Sequence, residues 1–94
     1  MKYISENNKS ELLSKKRVII IKDTVLPQFI VSDYKKICEE FEYEYNEINI
    51  MDISRGMLEF LKPNVGNNIY IINNNEIKHY DGLMSSLNLR KLIN

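Results

Sequence analysis

Four consecutive β-branched residues, Val18 to Ile21, constrain the fold of this chain more than any other feature. Such a run is typical of a strand buried on both faces, because neither face is marked by polar residues. A loop containing Pro27 follows, and a helix is predicted from about Gln28 to Phe41. The apolar positions of that helix recur at helical spacing: Val31, Tyr34, Ile37, Cys38 and Phe41.

Three more strands are predicted further along the chain. Tyr45 to Ile50 alternates between apolar and polar residues, and Ile69 to Ile72 is an apolar segment. Asn73 to Asn75 predicts a tight turn into Glu76 to Tyr80, because asparagine tolerates the left-handed backbone that hairpins require. The first two strands flank a helix and should be parallel, whereas the hairpin strands should be antiparallel. We therefore expect a four-stranded mixed sheet covered by helices.

Three further helices complete the predicted order. Ser10 is a candidate N-cap for a short helix over residues 11–16, with acid early and base late. Asp52 is a candidate cap for a helix that ends before Pro63 and shares one face among Ile53, Met57, Phe60 and Leu61. A final helix is predicted over residues 83–93, with inward positions Leu83, Leu87, Leu89 and Leu92.

Length and composition exclude several classes of protein. The 94 residues predict one domain, with residues 1–9 as a flexible arm. A net charge of zero and a pI of about 6.6 leave no electrostatic footprint for nucleic acid. No apolar stretch approaches the ~20 residues of a membrane span, so we expect no membrane partner. Because Cys38 is the single cysteine, no internal disulfide or cysteine-based metal site can form. These features favour a cytoplasmic protein without a metal.

The predicted layout resembles the thioredoxin fold in its minimal form, and the spacing resembles the glutaredoxin family over about residues 10–94. Residues 18–22 and the loop with Pro27 are similar to the first strand and active-site loop of the family. Residues 45–50 resemble its second strand, and residues 69–83 are similar to its strand, turn, strand and aspartate pattern. The resemblance implies an α/β fold of thioredoxin-like, glutaredoxin type, with a four-stranded mixed sheet flanked by helices.

The catalytic thiol of that family has no counterpart in this chain. In glutaredoxins a Cys-Pro-Tyr-Cys or Cys-Gly-Phe-Ser motif opens the first long helix. Depending on how Pro27 and the helix are aligned, the nucleophile falls at Leu26, Gln28 or Phe29, and none is a cysteine. Thiol–disulfide exchange proceeds through a thiolate, so the resemblance implies a protein that is not an oxidoreductase of this type, a pseudoenzyme.

Two other elements of the family's site are changed. Asn68 stands where the family has a cis-proline, and a non-proline cis bond costs ~2.5–4 kcal/mol, so a trans bond is expected there. Lys78 and His79 replace a Gly-Gly pair and would crowd the groove that admits glutathione. The remaining chemistry of the groove is therefore the main open question.

The resemblance nevertheless implies a candidate glutathione groove, formed by Lys22, Asn67, Asn68 and Asp81. Lys22 matches the residue that pairs with the glycyl carboxylate, and Asp81 matches the one that receives the γ-glutamyl ammonium. The structural alternative makes Lys22 a solvated strand-end lysine and Asp81 a helix N-cap. We favour the structural alternative, because the groove between the two residues has changed.

The loop that replaces the redox motif supplies a second candidate site. Its apolar residues Val25, Leu26, Phe29 and Ile30 would suit a protein partner if they are exposed together. We therefore favour a redox-inactive, glutaredoxin-like binding or scaffolding module that acts through protein contacts. The alternative is a glutathione-binding sensor or accessory subunit of a redox system, which would use Lys22 and Asp81.

The remaining reactive or charged residues are expected to have structural roles. Cys38 lies on the apolar helix face, where burial raises a thiol pKa, so catalysis through it is the least favoured hypothesis. His79, the only histidine, is expected to be a solvated strand-end residue. Two charged groups are expected to be solvated: the basic run Lys9, Lys15, Lys16 and Arg17, and the acidic group Glu39, Glu40, Glu42, Glu44 and Glu47.

Overall fold

The computed structural model describes residues 9–94, which form a four-stranded mixed sheet with helices on both faces. This architecture confirms the predicted α/β class and the predicted mixed sheet. The elements in chain order are α1 Lys9–Ser14, β1 Arg17–Lys22, α2 Gln28–Glu40, β2 Glu44–Asn49, α3 Arg55–Leu61, β3 Asn68–Asn73, β4 Glu76–Asp81 and α4 Ser86–Ile93. A short 3₁₀ turn, Ile50–Asp52, precedes α3.

The strands lie in the order β2-β1-β3-β4. Strand β1 is parallel to β2 and antiparallel to β3, and β3 and β4 form an antiparallel hairpin. Asn74 and Asn75 take φ values of 53° and 62° in its turn, as the asparagine run predicted. It follows that β1, β2 and β4 finish at the end of the sheet where β3 begins. We call this the exit end.

Two hydrophobic cores sandwich the sheet, and β1 belongs to both of them. Val18 and Ile20 pack with residues of α2 and α4, whereas Ile19 and Ile21 pack with residues of α1 and α3. All four are at most 1% exposed, which confirms the predicted burial of both faces. Burying one such side chain is worth roughly 1.5–3 kcal/mol, so this strand is a main source of stability.

Three helices begin at residues other than those predicted. Helix α1 already includes Lys9 and Ser10, so Ser10 is not its N-cap; residues 1–8 of the predicted arm lie outside the described residues. Helix α3 is capped by Ser54, whose Oγ accepts from Met57 N over 3.2 Å, and Asp52 belongs to the preceding 3₁₀ turn. The 3₁₀ turn is stabilised at its start by the Asn49 side chain, which accepts from Met51 N, so the α-helix begins only after it.

Helix α4 is also shorter than predicted, because Ser85 caps it by accepting from Asn88 N. Leu89 and Ile93, four residues apart, are buried, whereas Leu87 is 61% exposed and points away from the core. The prediction that Leu87 and Leu92 face inward was therefore wrong, since Leu92 is exposed as well.

The basic run before β1 interacts with the far end of α2 instead of lying free in solvent. Lys16 Nζ donates to the carbonyl of Phe41, the C-cap of α2, over 3.1 Å, and lies 5.1 Å from the Tyr43 ring. A cation at this position stabilises the negative end of the helix dipole, and α2 has no basic residue in its own last turn. The adjacent Arg17 pairs with Glu44 at 3.2 Å.

The acidic group is likewise more engaged than the sequence suggested. Besides Glu44, Glu47 pairs with Lys22 and Glu40 pairs with Arg90. Three of the five acidic residues thus have a cationic partner. The group therefore does not form a purely acidic surface. Within residues 9–94, no helix is long and apolar enough to cross a membrane.

Candidate functional site

The position expected for a redox thiol lies between the end of β1 and the first turn of α2. Pro27 precedes the helix with φ −57°, and its carbonyl accepts from the backbone N–H groups of Ile30 and Val31 at 3.1 and 3.2 Å. Proline is well suited to a helix start, because its ring fixes φ near the helical value. The local geometry of a strand, loop and helix is therefore present without the thiol.

The four apolar residues of this segment are not equivalent. Val25 is 92% exposed and Phe29 is 70% exposed, whereas Leu26 is only 5% exposed. Leu26 belongs to the core beneath α2, and Ile30 packs against the same core. Leu26 therefore cannot contact a partner in this conformation, because it anchors the loop to the domain. Val25 and Phe29 are the residues that a partner can reach.

Further exposed apolar side chains lie at the same end of the sheet. Met51 follows β2 and is 86% exposed; Val65 precedes β3 and is 103% exposed. Leu87 lies in the first turn of α4, which follows β4. Five of the seven large, exposed apolar side chains among the described residues therefore belong to segments that adjoin the exit end. We call these five the exit-end residues: Val25, Phe29, Met51, Val65 and Leu87.

Sequence reasoning missed three of the exit-end residues. Met51, Val65 and Leu87 are separated by 14 or more positions from one another in the chain, so no local pattern groups them. The available signal was topological, because each lies in a segment next to a strand end and the predicted parallel pair placed two of those ends together.

Hydrogen bonds tie the segments at the exit end to one another. The Asn67 side-chain oxygen accepts from Asp23 N over 3.3 Å, and the Asn67 carbonyl accepts from Gly82 N over 2.6 Å. The loop after β1, the loop before β3 and the loop after β4 are thus joined through one residue. Asn67, predicted to bind a ligand, has a structural role here, and the loops that carry Val25 and Val65 are connected through it.

Lys22 and Asp81 do not share a groove. Side chains alternate between the two faces of a strand, so Lys22 lies on the face of Ile20, which α2 and α4 cover. Asp81 lies on the opposite face, where its carboxylate accepts from Asn64 Nδ2 and is 3.8 Å from His79 Nε2. The two charges therefore project from opposite faces of the sheet.

Lys22 is also committed to another partner. Its Nζ lies 3.0 Å from Glu47 Oε1, and the Tyr45 hydroxyl donates to Glu47 Oε2 over 3.1 Å. Burial, together with the negative charge of Glu47, raises the pKa of Tyr45. The phenol therefore stays protonated and remains a donor, and Lys22 is a paired lysine, not the solvated one of the structural alternative. Asp81 is not a helix cap either, since Ser85 caps α4.

Asn68 is fully buried and joins the start of β3 to the preceding loop. Its Nδ2 donates to the carbonyls of Asn64 and Gly66 at 2.9 and 3.2 Å. Its Oδ1 accepts from Asn64 N at 3.0 Å and lies 2.7 Å from His79 Nε2. All hydrogen-bonding capacity of this amide is used inside the domain, so Asn68 has none left for a ligand. As expected, the described peptide bonds are all trans.

His79 is exposed, and its ring also makes two contacts within the domain. Because Asn68 presents an oxygen to it, Nε2 must carry the hydrogen that lies between them. The imidazole also stacks on Tyr70, with ring centroids 4.3 Å apart and an interplanar angle of 12°. Its side chain is 27% exposed. His79 is nevertheless an exposed residue of β4, as predicted, and what the sequence did not show is its cross-strand pairing with Tyr70.

Cys38 is buried, as its place on the apolar helix face predicted, and is 1% exposed. Burial raises the pKa of its thiol to about 11. Within the described part of the chain, no group of three or more histidine, cysteine, aspartate or glutamate residues is arranged to hold a metal ion.

Comparisons with known proteins do not add a family or a relative, since neither family profiles nor curated proteins match this chain. The function is therefore inferred from the geometry of the exit end.

Proposed function

We propose that this protein is a redox-inactive binding module of thioredoxin-like, glutaredoxin-type fold that docks a protein partner on its exit-end residues. The sheet order β2-β1-β3-β4, with two helices on each face, is compatible with that fold. The observation that carries the proposal is the concentration of exposed apolar side chains at one end of the sheet. Large exposed apolar patches on otherwise polar surfaces mark interaction sites.

The chemistry of the chain supports a role without thiol exchange. A thiol with a pKa of about 11 is ionised to only about one part in ten thousand at neutral pH. It is also enclosed by the core that α2 and α4 form with the sheet, so a disulfide substrate has no access to it. Since exchange requires attack by an accessible thiolate, Cys38 does not replace the missing nucleophile.

The exposed side chains are sufficient in size for binding. Fully burying a valine, phenylalanine or methionine side chain is worth roughly 1.5–3 kcal/mol. The four most exposed, Val25, Phe29, Met51 and Val65, together offer roughly 6–12 kcal/mol, against an association cost of about 4–15 kcal/mol. Because the loops that carry Val25 and Val65 are joined by a hydrogen bond, little further ordering of those two loops should be needed when a partner binds.

Site-specific photo-crosslinking in the cells that produce the protein tests this proposal. A benzophenone amino acid would replace Val25 at the exit end or, as the control, Leu92 in the last turn of α4. We expect a covalent protein adduct from position 25 that disappears when Phe29→Ser is added, and no such adduct from position 92. Adducts that form equally from both positions, or none from position 25, would contradict the proposal.

A further inference from the structure

A small depression lies at the hairpin end of the sheet, opposite the exit end, on the face that α2 and α4 cover. Its volume is about 140 Å³. The apolar residues that line it are Tyr43, Ile71 and Leu92, and the polar ones are Asn73, Asn74, Glu76 and Lys78. All four polar residues belong to the β3–β4 hairpin, where cross-strand pairing fixes the backbone. The depression is therefore framed by regular structure.

Two charged side chains of this lining differ from the other charged side chains of the sheet. The other acidic, basic and histidine residues of the four strands are paired: Arg17 with Glu44, Lys22 with Glu47, and His79 with Asp81. Glu76 and Lys78 make no salt bridge with any described residue, nor with each other. They are two residues apart in β4, so both side chains point to the same face of the sheet. An unpaired anion and an unpaired cation thus line one depression.

The neutral polar groups of the lining are unpaired as well. The side-chain amides of Asn73 and Asn74 make no hydrogen bond with another residue of the part that the structure describes. The same holds for the Tyr43 hydroxyl, which is not among the enclosed atoms of the domain. The lining therefore offers a ligand one carboxylate, one ammonium, two amides and a phenol.

The charges next to this lining do not favour either sign. Lys16 lies 5.1 Å from the Tyr43 ring, but its Nζ donates to the carbonyl at the C-terminal end of α2. Glu42 and Lys91 adjoin Tyr43 and Leu92 in the chain, and their charges are opposite. A purely anionic or purely cationic ligand would be attracted by one of Glu76 and Lys78 and repelled by the other. A ligand with both charges gains a partner for each.

We propose that this depression binds a free α-amino acid with a small apolar side chain. Glu76 accepts hydrogen bonds from the α-ammonium group, Lys78 donates to the α-carboxylate, and the side chain packs against Ile71 and Leu92. Hydrogen bonds between charged groups are roughly twice as strong as those between neutral groups, so the two charges dominate recognition. The site lies at the opposite end of the sheet from Val25 and Phe29 and does not depend on the partner that binds there.

Other classes of ligand fit this lining less well. Sites for drug-sized molecules measure roughly 300–1,000 Å³, so a depression of about 140 Å³ holds only a small ligand. A wholly apolar ligand would cover the polar groups of the lining without pairing them, which costs free energy. The end of a peptide brings one terminal charge and leaves either Glu76 or Lys78 without a partner.

Titration of the ¹⁵N-labelled full chain with L-valine tests the proposal. We expect saturable amide shifts at Asn73, Glu76 and Lys78, with a dissociation constant in the low millimolar range because so small a ligand makes few contacts. Two analogues each lack one charge of valine. Isovalerate has no ammonium group, and L-valinamide has no carboxylate. Each should bind at least tenfold more weakly than valine.

Two variants assign each charge of the ligand to its partner. Glu76→Gln and Lys78→Gln remove one charge each at exposed positions of β4, and their amide spectra show whether the fold is kept. The Glu76→Gln variant should bind valine no better than isovalerate. The Lys78→Gln variant should bind valine no better than valinamide. The control Lys35→Gln, on the exposed side of α2, should leave the affinity for valine unchanged.

The other outcomes overturn the proposal. Absence of saturable shifts with valine would mean that the two charges are only solvated. Valinamide that binds as tightly as valine would identify the amino terminus of a peptide as the ligand, and isovalerate that does so would identify a simple carboxylate. Affinity for valine that is unchanged in both variants would place the binding elsewhere. None of these results bears on the photo-crosslink at position 25, so the proposed function is tested separately.

Discussion

His79 Nε2 donates to Asn68 Oδ1 over 2.7 Å, where β4 lies beside the start of β3. Asn68 and His79 lie on neighbouring strands and on the same face of the sheet. Their hydrogen bond joins the buried amide to the ring that stacks on Tyr70. Since Asn64 bonds both to Asn68 and to Asp81, the loop before β3 is held to the hairpin at two points. This network stabilises the exit end. It gives structural roles to Asn68 and Asp81, which the sequence analysis assigned to a ligand-binding groove.

Removing the Asn68 amide should destabilise the protein strongly. Asn68→Ala leaves the carbonyls of Asn64 and Gly66 and the imidazole of His79 without their partner at a fully buried position. Each unsatisfied buried polar group costs about 1–3 kcal/mol, so we expect a loss of about 3 kcal/mol or more in urea denaturation. The control is Asn88→Ala on the exposed surface of α4, which should change stability by less than about 0.5 kcal/mol.

The same bond determines the tautomer of His79. Neutral His79 should carry its hydrogen on Nε2, because only then can it donate to the fixed Asn68 oxygen. Long-range ¹H–¹⁵N correlation spectra of the imidazole distinguish the two tautomers directly. An Asn68→Leu variant that still folds should lose this preference. Observation of the Nδ1–H tautomer in the wild type would show that the amide is oriented the other way.

Glutathione should not bind in the manner that the glutaredoxin resemblance implies. Lys22 pairs with Glu47 on one face of the sheet, and Asp81 is held by Asn64 on the other. We therefore expect no clustered shifts at Lys22, Asn67 and Asp81 when ¹⁵N-labelled protein is titrated with millimolar reduced glutathione. Saturable shifts at those three residues would mean that the groove exists in solution and would restore the alternative function.

Burial of Cys38 should make stability depend on pH in the alkaline range. Burial raises the pKa of the thiol from its ordinary value of 9.0 to about 11 in the folded protein, so the unfolded chain loses its thiol proton first. The stabilisation from the neutral, buried thiol is therefore complete below pH 9 and is lost as the pH rises through about 11. The raised tyrosine pKa values act in the same direction.

Urea midpoints measured between pH 7 and pH 11 check this dependence. Cys38→Val replaces the titrating thiol with a side chain of similar size. The urea midpoint of this variant should therefore fall less steeply with pH than that of the wild type, in the range where Cys38 ionises. Native protein should also resist iodoacetamide at pH 8 and react fully in urea. Rapid alkylation of the folded protein, or turnover in a disulfide-exchange assay that Cys38→Val abolishes, would show that the thiol is accessible after all.

Leu26, in the loop before α2, and Phe29, in the first turn of α2, should respond very differently to truncation. Leu26 is 5% exposed, so Leu26→Ala removes core contacts and should cost about 2–5 kcal/mol of stability. Phe29 is 70% exposed, so Phe29→Ser should change stability by no more than about 0.5 kcal/mol while it removes partner binding. Equal losses of stability for the two variants would mean that Phe29 packs within its own domain.

Much of the architecture follows from local sequence patterns. The β-branched run of β1 has no polar face, and it is buried on both sides. The helical spacing of α2 placed Cys38 in the core, and the asparagine run placed a left-handed turn between β3 and β4. These predictions held because periodicity and turn chemistry act over a few residues, where the chain has little freedom to choose otherwise. Helix starts were less well predicted, since several residues near each start were able to cap it.

The functional surface was decided by tertiary structure. Whether Lys22 and Asp81 face each other depends on strand order and on the alternation of side chains across several strands, which no short window contains. Likewise, the sequence showed that Val25 and Phe29 are apolar, but only the packing of Leu26 beneath α2 left those two exposed. Met51 and Val65 joined them because β2 ends and β3 begins at one end of the sheet. The sequence by itself determined the elements and the missing thiol, and the folded sheet determined which side chains meet.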